Sequence, residues 1–373
     1  MKKEKRIDKK PKKIILVAGA RPNFMKIAPI WCEMIKYPDG FKPLFVHTGQ
    51  HYDDEMSRFF LEDLELPEPD ICLNVGSASH GAQTAKIMIA FEKVVNETGP
   101  DLVVVVGDVN STLACALVAV KMHVPVAHIE AGLRSRDRTM PEEINRILTD
   151  QISDYLFTTE PAAGENLQAE GIDSGKIHYV GNTMIHSLIR YREKYESSDI
   201  LKKMNLIQGG YVLVTLHRPK NVDHRETFQE ILDVLLKIGK DIPVIFPAHP
   251  RTQKRIREFN LSEMISSDHR LRVLDPLGYF DFIALEKHAR LVLTDSGGIQ
   301  EETTFFQVPC LTIRENTERP ITISKGTNVL VGTDPDQILK YSRDVLNGRV
   351  KRGTIPKFWD DQVARRIVDV IGC

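Results

Sequence analysis

The sequence predicts an α/β protein built from two Rossmann-like, doubly wound domains, and three observations support this. Short β-branched runs alternate with longer amphipathic stretches, and the alternation restarts past the middle of the chain. At 373 residues the chain also exceeds what one compact core usually holds.

The first series of runs is Ile14–Ala18, Pro43–His47, Leu102–Val106, Val124–His128, Tyr155–Thr158 and Ile177–Val180, each followed by a helical pattern. A second series follows: Tyr211–Leu216, Pro243–Phe246, Leu271–Leu274, Leu291–Thr294, Pro309–Thr312 and Asn328–Val331. Repeated βα units of this kind form mostly parallel sheets. Between the two series, residues 185–210 are charged and helix-like and end in Gln208-Gly209-Gly210, which reads as a hinge. The domain boundary falls between Ser187 and Asn205, giving domains 1–190 and 191–355 and a last helix, 356–373, that returns to the first domain. Ligands bind beyond the carboxyl ends of open parallel sheets, so two facing sheets would place the active site in the interdomain cleft.

Composition narrows the function. The chain is 42% hydrophobic with a formal net charge of -1 and a pI near 6.9, which gives no general attraction to nucleic acid or membrane and points to a small ligand at a local site. No apolar run reaches the eighteen or so residues of a membrane span. The apolar stretch after the Lys-rich tail is too short for a signal peptide. Five scattered cysteines without a Cys-x-x-Cys pair argue against a disulfide framework and a zinc site, and fit a reducing cytoplasm. His51 and His80 are not spaced as metal ligands, so no metal is expected.

The most informative stretch is Thr294-Asp295-Ser296-Gly297-Gly298-Ile299-Gln300-Glu301-Glu302, which follows a buried-strand pattern and opens a helix. Backbone N–H groups at a helix start can face an anion, and glycines remove the Cβ atoms that would hold a diphosphate away. Glu302 lies four residues past Gly298, one turn deeper on the same face, where it can accept hydrogen bonds from a ribose. The alternative is an ordinary helix start with Ser296 as its cap.

Other strand ends carry charge. Arg21 and Lys26 follow the first run and offer cations to an oxyanion, or else are solvated helix charges. Asp108, in Gly107-Asp108-Val109-Asn110-Ser111-Thr112, is either an N-cap or a functional acid. Glu130 ends the next run, and Glu142 and Glu143 open a Pro-led helix, where complementing the helix dipole is the simpler reading. Crowded carboxylates repel, which would keep a proton available near neutral pH. In the second half His217 and His249 end strands, and Arg319 adds a cation that with His217 can stabilise a leaving diphosphate.

Taken together, Gly19-Ala20-Arg21-Pro22, the residues 47–51, Gly107–Thr112, His128–Arg134, Pro141–Arg146, Gly181-Asn182-Thr183, Asp295–Glu302 and Thr317–Pro320 resemble the non-hydrolysing UDP-N-acetylglucosamine 2-epimerases. The resemblance runs from Lys13 to about Val331. It implies a glycosyltransferase-B-like fold, usually a homodimer, and interconversion of UDP-GlcNAc and UDP-ManNAc at C2. The implied route is anti elimination of UDP to a 2-acetamidoglucal and re-addition. No Gly-x-Gly-x-x-Gly follows any strand, so oxidation through a nicotinamide is not expected and no cofactor is needed.

The resemblance places catalysis on Asp108, Glu130, Glu142 and His217. UDP binding falls on Arg21, Lys26, His217, Ser296, Gly297, Gly298, Glu302 and Arg319, and accessory positions on Gln50, His51, Gln83 and Arg134. The chain departs from the family pattern at Asn23, at Pro219-Lys220 and at Tyr52–Met56. The first departure is similar to a branch acting on UDP-2,3-diacetamido-glucuronic acid, for which Arg134, Arg136 or Arg138 could supply the extra cation. A UDP-sugar glycosyltransferase of the same fold is the alternative from another class.

Overall fold

The computed structural model describes residues 10–49, 61–266 and 269–372. The chain divides into two compact units. The first holds the described residues up to Arg190 and from Lys357 onward, and the second is Tyr191–Pro356.

In the first unit seven parallel strands lie in the order β3-β2-β1-β4-β5-β6-β7. They are β1 (Lys12–Ala18), β2 (Phe41–His47), β3 (Ile71–Cys72), β4 (Leu102–Val106), β5 (Val126–Ile129), β6 (Tyr155–Thr158) and β7 (Ile177–Tyr179). The central strands are Val- and Ile-rich and buried along their whole length, as expected of a parallel sheet covered by helices on both faces. The structure adds β3 to the six strands legible in the sequence, a two-residue edge strand that pairs Ile71 with Val46 and is too short to leave a pattern.

The second unit repeats the plan with six parallel strands in the order β10-β9-β8-β11-β12-β13. These are β8 (Val212–Thr215), β9 (Val244–Pro247), β10 (Leu271–Leu274), β11 (Leu291–Thr294), β12 (Cys310–Thr312) and β13 (Asn328–Leu330). Gln208-Gly209-Gly210 lies inside this unit as the turn entering β8, tied by Gly209 N–H to His288 O at 2.8 Å, and is no hinge.

The strand order reverses between β1 and β4 in one sheet and between β8 and β11 in the other, so the crevice beyond the carboxyl ends opens there in each. The chain's last segment belongs to the first unit. Trp359 Nε1 donates to Thr159 O at 3.2 Å, Arg366 donates to Val180 O at 2.7 Å, and Gly181 (φ +94°) packs against Phe358 O so closely that a Cβ would lie 1.9 Å from it. Among the described residues no helix is long and apolar enough to cross a membrane.

Candidate functional site

In the second unit the reversal point gathers His217 after β8, His249 after β9, and Ser296, Gly297 and Gly298 after β11. The helix Gly297–Phe306 begins at Ser296, whose side chain makes no capping hydrogen bond. That removes the simpler of the two readings open in the sequence, because the first-turn N–H groups keep no side-chain partner from their own cap.

The two glycines differ. A Cβ on Gly297 would sit 2.6 Å from both Arg319 Nη1 and Glu318 Oε1, so its smallness is demanded by the protein's own packing. A Cβ on Gly298 would meet no described atom within 4 Å, so its smallness leaves space for something else.

Asp295 organises the turn. Its carboxylate is fully buried and accepts from His217 N–H (3.0 Å), Arg218 N–H (2.9 Å), Asn221 Nδ2 (3.0 Å) and, 2.9 Å away, the imidazole Nδ1 of His217. Burial pushes the carboxyl up, but the bonds from His217 and Arg218 outweigh it and hold Asp295 below the usual carboxylate range. His217 itself is 41% exposed in its side chain. It helps line a cavity of about 200 Å³ with His249, Ser296, Ile299, Leu277 and Phe282. A larger cavity of about 760 Å³, lined by Arg290, Arg343 and Asp241, lies at the opposite, amino-terminal ends of the strands and away from these motifs.

Arg319 is shared between Glu318 (2.7 Å) and Glu301 (2.9 Å), and Glu318 also pairs with Arg314 at 2.7 Å and with Arg218 at 3.7 Å. Despite its burial, these arginines hold the Glu318 carboxyl far below its ordinary range. Arg319, Arg314 and Arg218 thus bring three guanidiniums together, with Arg319 against Gly297 at the helix start, which suits an anionic ligand. Glu302 is buried one turn below Gly298, with Tyr279 Oη 3.4 Å from its Oε1.

In the first unit, Val106 pairs with Ile129, and Gly107 N–H donates to Ile129 O at 3.0 Å, so Asp108 and Glu130 leave adjacent strand ends. Each acid has its own cation: Arg146 on Asp108, and Lys26 on Glu130. Mutual repulsion of crowded carboxylates is therefore not the governing interaction, because opposite charge in contact outweighs like charge further off. Lys26, read from the sequence as a phosphate cation, is buried against Glu130 instead. Glu130 has φ +69°, a left-handed conformation costly for a side chain of this kind and typical of functional sites.

The helix Pro141–Ile152 has both Glu142 and Glu143 in its first turn. Glu142 is half-buried, whereas Glu143 is buried and accepts from Ser135 N–H and Arg136 N–H, both at 2.9 Å, and from Arg146 at 2.6 Å. Burial pushes Glu143 up, and these bonds more than reverse it. Sequence reasoning missed the two residues that hold Asp108: Arg146 on its carboxylate and Asn145, which donates to Asp108 O at 2.8 Å. They lie three and four residues after Glu142, and that spacing was the available signal. The helix after Asp108 has Val109 as its N-cap, so Asp108 is not the cap.

Of the accessory positions, Gln83 is buried and accepts from Asn110 Nδ2 at 2.8 Å. Arg134 is buried between Asp150 (2.7 Å) and Glu170 (2.6 Å), which makes it part of the interior rather than a cation presented to a ligand. Gln50 and His51 lie outside the described residues, as does the Arg21 side chain.

Comparison with known proteins places the chain in a family. The family described as UDP-N-acetylglucosamine 2-epimerase matches residues 33–372. The UDP-N-acetylglucosamine 2-epimerase of Methanocaldococcus jannaschii is 44% identical over 96% of this chain and 98% of its own length. A UDP-2,3-diacetamido-2,3-dideoxy-D-glucuronate 2-epimerase of Pseudomonas aeruginosa is 42% identical over 91% of this chain and 94% of its own. The crystal structure of the M. jannaschii UDP-GlcNAc 2-epimerase in complex with UDP-GlcNAc and UDP superposes with a TM-score of 0.89 at 43% identity, covering 96% of this chain and 99% of that one.

Proposed function

The chain belongs to the UDP-N-acetylglucosamine 2-epimerase family, and from that premise we propose that it interconverts UDP-GlcNAc and UDP-ManNAc by eliminating and re-adding UDP. The carrying observation is the uncapped helix start at Ser296, with no described atom over Gly298 and an arginine cluster beside it. This is a seat for a diphosphate.

The chemistry follows from the substrate. The C2 hydrogen is not next to a carbonyl, so it cannot be removed as an enolising proton. Elimination removes it with a carboxylate base as the C1–O bond breaks, the electron pair leaves on the UDP oxygen, and a C1–C2 double bond remains in a 2-acetamidoglucal. A second acid returns a proton to the other face, and UDP re-adds at C1. His217, oriented by Asp295, and the helix N–H groups stabilise the departing charge. Asp108, Glu130 and Glu142 are the candidate acids and bases. Arg146 and Lys26 hold the first two in place.

The P. aeruginosa relative gives a second reading, a 2-epimerase of the diacetamido-uronate. Of the arginines weighed for a uronate, Arg134 is already bound by Asp150 and Glu170, which leaves the exposed Arg136 and Arg138 as the cations this reading would need.

The test is incubation with UDP-GlcNAc in D2O followed by NMR. UDP-ManNAc deuterated at C2 is the expected product, and Asp108→Asn and Glu130→Gln should each abolish that exchange while UDP affinity changes by less than about fivefold. Wild-type exchange in both variants would refute the assignment of the acids. Turnover of only the diacetamido-uronate would select the second reading.

A further inference from the structure

The helix Tyr279–His288 carries a carboxyl that the proposed reaction does not use. Glu286 has no solvent exposure, and no described donor reaches either of its oxygens. Its helix packs against Gly297–Phe306, where Tyr279, two turns before Glu286 on the same face, reaches Glu302, and the Glu286 and Glu302 carboxyls lie close enough to shift each other's ionisation. Carboxylates only accept, so such a contact requires a proton on one of them.

Burial first, then the charge of Glu302, pushes Glu286 well above the ordinary carboxyl range. Burial and the charge of Glu301 push Glu302 up to about 7, against the opposing hydrogen bonds from Glu286 and Tyr279. Among the described residues, the other groups facing the pair bring no cation. Glu301 is paired with Arg319, Tyr279 is kept neutral by burial, Tyr195 faces Tyr279, and burial pushes the Cys310 thiol up to about 12. Two buried carboxyls without a cation are costly, so a role that depends on their proton explains the arrangement.

We propose that Glu286 is a positioning residue: it donates a hydrogen bond to the Glu302 carboxylate, which turns its remaining lone pairs to the ribose hydroxyls of a UDP-sugar, and binding expels one of the pair's two protons. The inference rests on the reading of Glu302 as the ribose acceptor. When the pair holds two protons, Glu302 has lost acceptor capacity. Binding therefore sends the Glu302 proton to the buffer and leaves the other on Glu286.

Calorimetric titration with UDP-GlcNAc, in buffers of different ionisation enthalpy between pH 6 and 8.5, counts that proton. The diphosphate diester does not titrate in this range, and subtracting the titration of Glu302→Gln removes protons exchanged at any other group. The wild type should release nearly one proton at pH 6 and almost none at pH 8.5, with affinity rising about tenfold across that window. Glu286→Gln, which keeps a donor, should behave like the wild type. Glu286→Leu should bind more weakly and release its proton over a higher pH range. A purely structural residue would change affinity without moving the release. No net release in the wild type, or the same release window in Glu286→Leu, overturns the proposal. Unchanged affinity in Glu302→Gln would instead sink the ribose reading itself. If Glu286→Leu does not fold, the wild-type count and the Gln variant still decide.

Discussion

His217 and Asp295 are joined through the imidazole Nδ1, 2.9 Å from a carboxylate oxygen that has no solvent exposure. The same carboxylate accepts both backbone N–H groups of residues 217 and 218, so the orientation of the ring and the path of the loop are set by one charge. With Nδ1 held, Nε2 is the nitrogen left to meet a ligand.

Asp295→Asn keeps the shape but replaces a charged acceptor by an amide. We expect kcat to fall by roughly two orders of magnitude in steady-state epimerisation, as when a buried acid that orients a catalytic histidine is neutralised. An unchanged kcat would mean that the orientation of His217 does not matter.

The two glycines separate packing from binding. Gly297→Ala forces a methyl group into the Arg319–Glu318 pair and should lower the melting temperature. Gly298→Ala meets no described atom, so it should melt like the wild type yet bind UDP at least about tenfold more weakly, because the methyl occupies the phosphate seat. Calorimetry on both variants, with melting curves, tests the pair.

Arg146→Met leaves the Glu143 carboxylate, only 1% exposed, without its cation and releases Asp108. A loss of about 3–5 kcal/mol in stability is expected, as for a buried pair broken from one side. Deuterium exchange at C2 should be lost with it. Denaturant titration and NMR read the two effects separately.

Stability should respond to pH in two opposite ways. Asp295, Glu143 and Glu318 have folded-state pKa values below their unfolded ones, so their contribution is complete above about pH 4.3 and is lost as pH falls through the folded values. Glu286 and Glu302 are raised, so their contribution is complete below about pH 4.3 and is lost as pH climbs towards 7 and beyond. Melting curves should therefore show Glu318→Gln flattening the acid limb, and Glu286→Gln stabilising the protein more at pH 8 than at pH 5.

Much of this was legible in the sequence. The β-branched runs gave twelve of the thirteen strands found among the described residues, because parallel strands buried on both faces leave dense apolar signatures, whereas the two-residue β3 leaves none. The Asp295–Gly298 motif marked the helix start, because glycine and a strand end are local signals. The partners were not legible: Lys26 with Glu130, Arg146 with Asp108, and Glu286 with Glu302 are separated by 104, 38 and 16 positions. Such pairings are set by strand order and helix packing, which composition and spacing do not encode. Asp295, read as part of a phosphate cradle, faces inward to His217 for the same reason.

A crystal structure with UDP tests the central claim most directly. The account predicts the β-phosphate within about 3 Å of the N–H groups of Gly297 and Gly298, with His217 beside it and the ribose over Glu302. UDP seated elsewhere, for instance in the cavity lined by Arg290 and Arg343, would contradict it.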